Sequence, residues 1–207
     1  MLVKSGRQQW TSAHTVGAGA AAAAAAVSLV AAPNAQGLFG AGLAMLMVAI
    51  AAIDARHFII PDELNIAAFI LALVAAGFQN DGAGLEDIGL AVARGGALAL
   101  AFFGLRCAYR ALRKRDGIGL GDVKLAAVAG AWLGWQTMPI AVEIAALAAL
   151  ASYMVRRYVS GQAFQPTHRL PFGLFFAPAI WLGWLLEAMH SSGTLGAMQI
   201  LSGGHGI

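Results

Sequence analysis

Residues 38–54 read LFGAGLAMLMVAIAAID, sixteen residues without a charged side chain followed by an aspartate. A helix of sixteen residues extends about 24 Å, most of the roughly 30 Å hydrocarbon core of a bilayer. A carboxylate at the end of such a segment is costly to desolvate, and it indicates a functional site unless it only marks the helix end. The stretch therefore predicts a membrane helix and makes Asp54 the first residue of interest.

The rest of the chain has the same apolar character. Of its 207 residues, 59% are hydrophobic and 11% are charged, whereas a soluble domain has about 25% charged residues. The apolar runs are continuous, while a transmembrane β-barrel would alternate in segments of roughly ten residues. We therefore predict an all-α fold, a polytopic transmembrane helical bundle of about 6–7 spans. The apolar segments lie near residues 15–32, 38–54, 63–78, 87–106, 120–136, 138–155 and 172–189.

A single membrane-embedded domain is expected over residues 1–207. It divides into an N-terminal tail with an Ala-rich helix (1–37), a motif-bearing core (38–190) and a flexible C-terminal tail (191–207). The Ala-rich segment also fits a secretory signal peptide. We favour an uncleaved helix, because the following segments need a partner against which to pack.

The basic residues are concentrated in alternate loops. Lys and Arg precede the first segment and follow the second, fourth and sixth, whereas residues 33–37 and 78–86 contain none. Basic loops remain in the cytosol, so the N-terminus is predicted to be cytosolic and the C-terminal tail external. The net charge of +3 is then a topology signal and not a nucleic-acid surface. In this topology Asp54 and Asp122 lie at the same membrane face, which suggests a carboxylate pair.

The second aspartate lies in GIGLGDVKL, residues 117–125. Gly119 and Gly121 allow the backbone to turn or to approach a ligand closely, because they have no Cβ. Asp122 could also be the N-cap of the helix that follows, and both interpretations can hold together. Lys124 lies two positions further on, on a different helix face, so it is not expected to pair with Asp122.

Other polar residues have structural explanations. Pro61 prevents the second segment from continuing as a helix, and we expect Asp62 to cap the third segment with Glu63 in its first turn. Glu143 is a lone carboxylate in an apolar segment, and a packing hydrogen bond is its expected role. The single cysteine, Cys107, excludes an intrachain disulfide and a Cys-x-x-Cys metal site, and no metal site is predicted.

Residues 168–173 read HRLPFG and precede the last apolar segment. Proline and glycine oppose a regular helix, and irregular backbone at membrane depth is tolerated where it lines a cavity. The stretch is therefore a candidate edge for an extended substrate, although an ordinary loop entering a helix would look the same.

Three stretches together resemble the conserved motifs of the type IV prepilin peptidases. They are IDARHFIIPDEL (53–64), GIGLGDVKL (117–125) followed by GAWLG (130–134), and LPFG (170–173). The resemblance covers roughly residues 38–190, with the motifs in the family's order. It implies a membrane aspartic endopeptidase of the bacterial inner membrane that cuts the short basic leader of a prepilin or pseudopilin after a glycine, on the cytosolic side.

The resemblance also assigns roles to individual residues. Asp54 and Asp122 match the family's catalytic pair. The other matching positions are expected to shape the site or bind substrate: Gly119, Gly121, Lys124, Pro61, Pro171, Phe172 and Gly173. Many members also methylate the new N-terminus, using a cytosolic region with a four-cysteine zinc site. This chain is more similar to the short, peptidase-only members such as those of tight-adherence pili, so neither N-methyltransferase activity nor a cofactor is expected.

Two other classes of function remain open from the sequence. Asp54 and Asp122 could be ion or proton ligands of a small membrane transporter, although both lie on one side and no inverted repeat is apparent. The chain could also be a non-catalytic component of pilus assembly. The expected partners are prepilin or pseudopilin substrates and membrane lipid, and no nucleic acid.

Overall fold

The structure is a computed structural model that describes residues 3–78, 84–115, 117–160 and 171–202. Within these ranges the chain forms seven helices and no strand. The helices are α1 (Val3–Ala31), α2 (Ala35–His57), α3 (Asp62–Gly77), α4 (Gly84–Arg113), α5 (Leu120–Trp132), α6 (Thr137–Ser160) and α7 (Phe172–Ser202). Each predicted apolar segment corresponds to one helix, which confirms the all-α prediction.

The helices differ in their ability to cross a bilayer. Among the described residues, α2, α4, α6 and α7 are long and apolar enough to span a membrane, and α1 contributes a shorter apolar stretch, Thr15–Ala31. By contrast, α3 and α5 have 16 and 13 residues, so they extend only about 24 and 20 Å. The chain is a helical membrane protein in which two short helices pack among longer ones.

The end of α2 determines where the chain turns toward α3. Phe58 adopts a left-handed conformation with φ 54°, and its N–H donates to the carbonyl oxygen of Asp54. A left-handed residue after a helix satisfies one of the last carbonyls and stops the helix. Pro61 is the N-cap of α3 and makes no side-chain capping bond, while Asp62 and Glu63 occupy the first turn. The expectation that Asp62 caps α3 is therefore wrong, and it acts instead through the helix dipole.

The core is formed mainly by α2, α5 and α7. α2 packs against α1, α3 and α7, while α5 packs against α3, α4 and α7. Small residues allow the close contacts: a Cβ on Gly130 in α5 would lie 2.4 Å from the carbonyl oxygen of Arg94 in α4. The most buried side chains, each at most 1% exposed, include Leu43, Met47, Ile50, Leu125, Val128, Leu133, Phe176 and Ile180.

Helices α1 and α7 extend furthest beyond the apolar segments that predicted them. α1 begins at Val3 and α7 continues to Ser202, although the sequence predicts the last apolar segment to end near 189 and a tail to begin at 191. Residues 203–207 of that tail lie outside the described residues, as do residues 161–170 with the beginning of the HRLPFG stretch.

Candidate active site

Asp54 lies in the last turn of α2, where its side chain is only 5% exposed. Its Oδ2 accepts a hydrogen bond from the backbone N–H of Leu174 at 2.9 Å, and the amide of Gly173 also interacts with the carboxylate. Both amides belong to the first turn of α7, where backbone N–H groups have no partner within the helix. The N-terminus of α7 therefore provides hydrogen-bond donors for a buried carboxylate 120 residues away in the chain.

Gly173 makes this contact possible. A Cβ at this position would lie 2.9 Å from Asp54 Oδ2, 3.0 Å from its Cγ and 2.8 Å from the Cδ1 of Ile60. Real Cβ atoms do not approach that closely, so any larger residue would displace the carboxylate or the start of α7. Gly173, the last residue of the third motif, is thus in direct contact with Asp54.

The two residues before Gly173 anchor the start of α7. Pro171 is buried. The Phe172 ring packs against Phe176, with centroids 5.3 Å apart, and against Phe102 of α4, at 6.4 Å. Phe172 therefore joins an aromatic cluster between α7 and α4, and this cluster holds the first turn of α7 in place.

Asp122 is the third residue of α5, whose N-cap is Gly119. Its Oδ2 accepts a hydrogen bond from the N–H of Gly119 at 3.1 Å. Asp122 is therefore not the N-cap itself; it reaches back to the cap, as the third residue of a capping box does. Gly119 has no side chain with which to return the bond. One oxygen of each aspartate is consequently held by a backbone N–H at the start of a helix.

The two aspartates are brought near each other by the connection between α2 and α3. They are close enough to interact electrostatically. Ile60 of that connection is 8% exposed, and it packs against two glycines, since a Cβ on Gly121 would lie 3.1 Å from its Cβ and one on Gly173 would lie 2.8 Å from its Cδ1. Ile60 thus lies between two helix N-termini. A backbone N–H at the start of α5 binds Asp122, and one at the start of α7 binds Asp54.

Lys124, two positions after Asp122, pairs with Asp62. Its Nζ is 2.6 and 2.7 Å from the two carboxylate oxygens of Asp62, and the two side chains are 50% and 58% exposed. Within the described residues Lys124 makes no hydrogen bond to Asp54 or Asp122, as the sequence predicts for Asp122. The pair joins α5 to the beginning of α3, directly after Pro61.

The sequence interpretation missed two ionisable residues at the other end of the bundle. Arg94 in α4 and Glu187 in α7 line a crevice of about 260 Å³. The Nε of Arg94 donates to the Gly130 carbonyl oxygen at 3.3 Å, and Glu187 accepts from the N–H of Gly134 at 2.8 Å. The signal was present, because both are ionisable residues within apolar segments, the same feature that indicated Asp54.

Two further polar residues have no hydrogen-bond partner in the described part of the chain. Glu143 in α6 is exposed and has no hydrogen bond in the described part of the chain, so the expected packing hydrogen bond is wrong there. Asn65 in α3 is 4% exposed, and its side-chain amide has no partner among the described protein atoms. Nothing in the sequence pattern distinguishes Asn65 from a helix surface residue.

No group of three or more His, Cys, Asp or Glu side chains in the described ranges is arranged to hold a metal ion. The expectation that the protein needs no metal or cofactor stays a prediction.

Comparison with known proteins gives one consistent result. The model of the type IV leader peptidase family matches residues 41–154, more than half of the chain and a range that includes both aspartates. The prepilin leader peptidase/N-methyltransferase of Aeromonas hydrophila is 32% identical over 77% of this chain and 53% of its own length. The proteins of the same name from Burkholderia pseudomallei (strain 1026b) and Dickeya chrysanthemi are each 35% identical, over 70% of this chain and 45% and 49% of their own lengths.

The chain spans about half the length of the curated relatives that it matches. No solved structure matches it significantly. The family model and the relatives agree with each other, and the residues that the family model matches include the first two of the three motifs found in the sequence. This chain belongs to the type IV leader peptidase family.

Proposed function

We propose that this protein is an aspartic endopeptidase of the bacterial inner membrane that removes the short basic leader of type IV prepilins or pseudopilins. The observation that best supports the proposal is that Asp54 and Asp122 interact electrostatically although they lie on different helices. The family to which the chain belongs supports the substrate class. Cleavage after a glycine, on the cytosolic side, follows from the resemblance of the three motifs.

The chemistry needs no covalent intermediate. Two carboxyl groups that repel each other at a partly desolvated site do not both ionise easily, so we expect the pair to share one proton and to titrate as a unit. The charged member removes a proton from a water molecule, whose oxygen attacks the scissile carbonyl carbon, while the protonated member donates to the carbonyl oxygen. The C–N bond then breaks and the departing amine takes up a proton from the pair. Backbone N–H groups of Leu174 and Gly119 hold one oxygen of each aspartate, which fixes the orientation of both groups.

The position of the pair suits a substrate that crosses the membrane. A helical substrate hides its carbonyl groups in i to i−4 hydrogen bonds, so the segment to be cut must be extended before water can attack it. A site at the edge of the bilayer gives access to water while the apolar helix of a prepilin remains in lipid. The leader would then lie on the cytosolic side, where the sequence places the basic loops.

The names of the relatives also include an N-methyltransferase. We propose only the peptidase for this chain. α1 and α2 are separated by three residues, 32–34, and the chain has one cysteine, so the cysteine-rich region that the resemblance associates with methylation has no counterpart between these helices. The absence of methylation stays a prediction.

A transporter is the second candidate, and the crevice near Arg94 and Glu187 is the observation that favours it, since it adds ionisable groups at the opposite end of the bundle. Against it, the side chains of Met47, Ile50 and Val128 in the intervening core are at most 1% exposed. A continuous polar path between the two ends would need these side chains to move apart. We therefore prefer the peptidase.

The test is cleavage of a co-expressed prepilin from the same genome, followed by gel mobility in isolated membranes. Asp54→Asn and Asp122→Asn should each reduce the rate at least about 100-fold, because either change removes an acid or a base from the pair. Glu86→Gln is the matched control, since Glu86 is an exposed carboxylate in the first turn of α4. Near-normal cleavage by either Asn variant, at equal protein levels, would exclude the pair. An intact prepilin with the wild-type protein would favour a transporter or an assembly component.

A further inference from the structure

Arg106 differs from the other basic residues near the end of α4. It is half-buried, whereas every other residue from 103 to 115 is exposed. Its guanidinium Nη1 donates a hydrogen bond to the backbone carbonyl oxygen of Ile118, in the connection between α4 and α5. The positive charge of Arg106 is therefore held at one backbone group, in addition to any part it has in setting the topology.

That carbonyl group belongs to the peptide group that binds Asp122. The C=O of Ile118 and the N–H of Gly119 are two parts of one planar peptide group, which is rigid because its C–N bond has partial double-bond character. The Gly119 N–H donates to Asp122 Oδ2 at 3.1 Å. One peptide group therefore connects the Arg106 guanidinium to the carboxylate, with a hydrogen bond on each side.

This connection affects both the direction and the strength of the bond to Asp122. In a trans peptide the N–H and the C=O point in opposite directions, so a bond that orients the carbonyl also orients the N–H. Hydrogen bonds in a chain polarise one another, and a bond with a charged donor is about twice as strong as a neutral one. The guanidinium thus makes the Gly119 N–H a better donor to a carboxylate than an isolated peptide group would be.

A second contact holds the same stretch against α4. A Cβ on Gly117 would lie 2.5 Å from the Cδ1 and the Cε1 of Tyr109, so the Gly117 backbone is in contact with that ring. Tyr109 follows Arg106 by three positions, and residues three apart are neighbours on a helix surface. One face of α4 therefore holds residues 117 and 118, directly before the peptide N–H that binds Asp122.

We propose that Arg106 is a positioning residue of the aspartate pair, which orients and polarises the Ile118–Gly119 peptide group and thereby holds Asp122 in its reactive geometry. Asp54 is held differently, by the N–H groups of Leu174 and Gly173 in the first turn of α7. The consequence for cleavage rests on the proposed function, but the action of Arg106 on the peptide group can be measured without it.

Nuclear magnetic resonance of the full-length protein in detergent micelles tests that action. Labelling of isoleucine with carbonyl 13C and of glycine with 15N selects the two Ile–Gly peptide groups of the chain, Ile88–Gly89 and Ile118–Gly119. Gly89→Ala removes the first signal and so identifies the second, and nothing lies within 4 Å of a Cβ at Gly89. Arg106→Met should move the Ile118–Gly119 amide proton upfield, because the N–H bond to Asp122 weakens when the guanidinium is lost.

Arg113→Met is the matched control for this measurement. It removes an equal charge from the same helix, seven positions further along, where the side chain is exposed. Both Ile–Gly signals should remain in place in this variant. An unchanged Ile118–Gly119 signal in Arg106→Met, or an equal change in Arg113→Met, would overturn the proposal.

Cleavage kinetics with a purified prepilin in mixed micelles test the consequence for the site. Arg106→Met should lower kcat by about tenfold and leave KM within about twofold, because the reacting group is misplaced while the prepilin still binds. Arg106→Lys should give an intermediate kcat, since it keeps a charged donor but as a flexible point charge, and Arg113→Met should match the wild type.

A normal kcat in Arg106→Met, or a change in KM alone, would contradict the positioning role. Failure of the wild-type protein to cleave any prepilin would instead contradict the proposed function. In that case the resonance measurement still decides whether Arg106 acts on the peptide group that binds Asp122.

Discussion

At the scale of single residues, the candidate site depends on Gly173 having no Cβ. Gly173→Ala would put a Cβ 2.9 Å from Asp54 Oδ2, so the carboxylate would move or lose the Leu174 N–H bond. We expect peptidase activity to fall at least about tenfold, because a small misplacement of a reacting group is costly. Gly104→Ala is the control, since nothing lies within 4 Å of a Cβ at Gly104. Prepilin cleavage in membranes with equal protein levels measures the effect, and equal activity of the two variants would contradict the geometry.

The ion pair between Asp62 and Lys124 should matter much less than its conspicuous geometry suggests. Both side chains are half-exposed, and an exposed ion pair contributes at most about 1 kcal/mol. Asp62→Asn and Lys124→Gln should each lower activity by less than about fivefold, and the double variant should be no worse than the stronger single variant, because both remove the same contact. A double-mutant cycle on the cleavage rate measures this. Complete loss in Asp62→Asn at normal protein level would move Asp62 into the chemistry.

The sequence predicted both members of the aspartate pair, since each is a charged group at the end of an apolar segment and belongs to a motif. It did not predict what holds them. The Leu174 N–H that binds Asp54 lies 120 residues further along the chain, and no local pattern records a contact between helix ends so far apart. Arg94 and Glu187 were missed for another reason: their segments were apolar enough to predict helices despite the charged residues in them.

At the scale of helices, the backbones of α4 and α5 approach each other closely at Gly130, and this contact allows the packing to be tested. A Cβ on Gly130 would lie 2.4 Å from the carbonyl oxygen of Arg94 and 2.8 Å from the Cα of Gly95. These are backbone atoms, so relief requires the two helices to move apart. Gly130→Ala should therefore destabilise the protein by about 1–3 kcal/mol, the usual cost of overpacking.

Thermal unfolding in detergent measures that change. Gly96→Ala is the matched control, because nothing lies within 4 Å of a Cβ at Gly96 in α4, and alanine favours the helix over glycine by about 1 kcal/mol. We expect the control to unfold at or above the wild-type temperature and Gly130→Ala to unfold well below it. Similar unfolding temperatures for both variants would mean that α4 and α5 are further apart than described.

Helix existence was predictable from hydrophobic runs, but helix ends were not. The fifth segment was expected to reach residue 136, yet α5 ends at Trp132. The N–H of Gly134 is then taken by Glu187 of α7, a tertiary contact that no run of apolar residues encodes. In the same way, Pro61 occupies the N-cap of α3 that the sequence assigned to Asp62, with the extended backbone (φ −64°, ψ 135°) that is typical of an N-cap.

At the scale of the whole molecule, the short α5 explains why the bundle has polar groups at both ends. Thirteen residues extend about 20 Å, which is shorter than the hydrocarbon core. The aspartate pair lies near the start of α5, and the crevice with Arg94 and Glu187 lies near its end. When water reaches both ends of α5, the apolar core around Val128 separates the two polar regions. The proposed peptidase needs no path for ions between these regions, so such a core does not hinder it.

The orientation of the bundle decides whether this arrangement can process a prepilin leader, and it can be measured with thiols. In a Cys107→Ser background, Arg115→Cys lies just beyond α4, at the end of the aspartate pair, and Ser191→Cys lies at the crevice. A maleimide that cannot cross membranes should label Arg115→Cys in inside-out vesicles and Ser191→Cys in right-side-out vesicles, because the basic loops remain cytosolic. Labelling after solubilisation controls for the accessibility of each thiol. The reverse pattern would put Asp54 and Asp122 on the external face, where a cytosolic leader could not reach them, and the proposed cleavage would fail even with an intact pair.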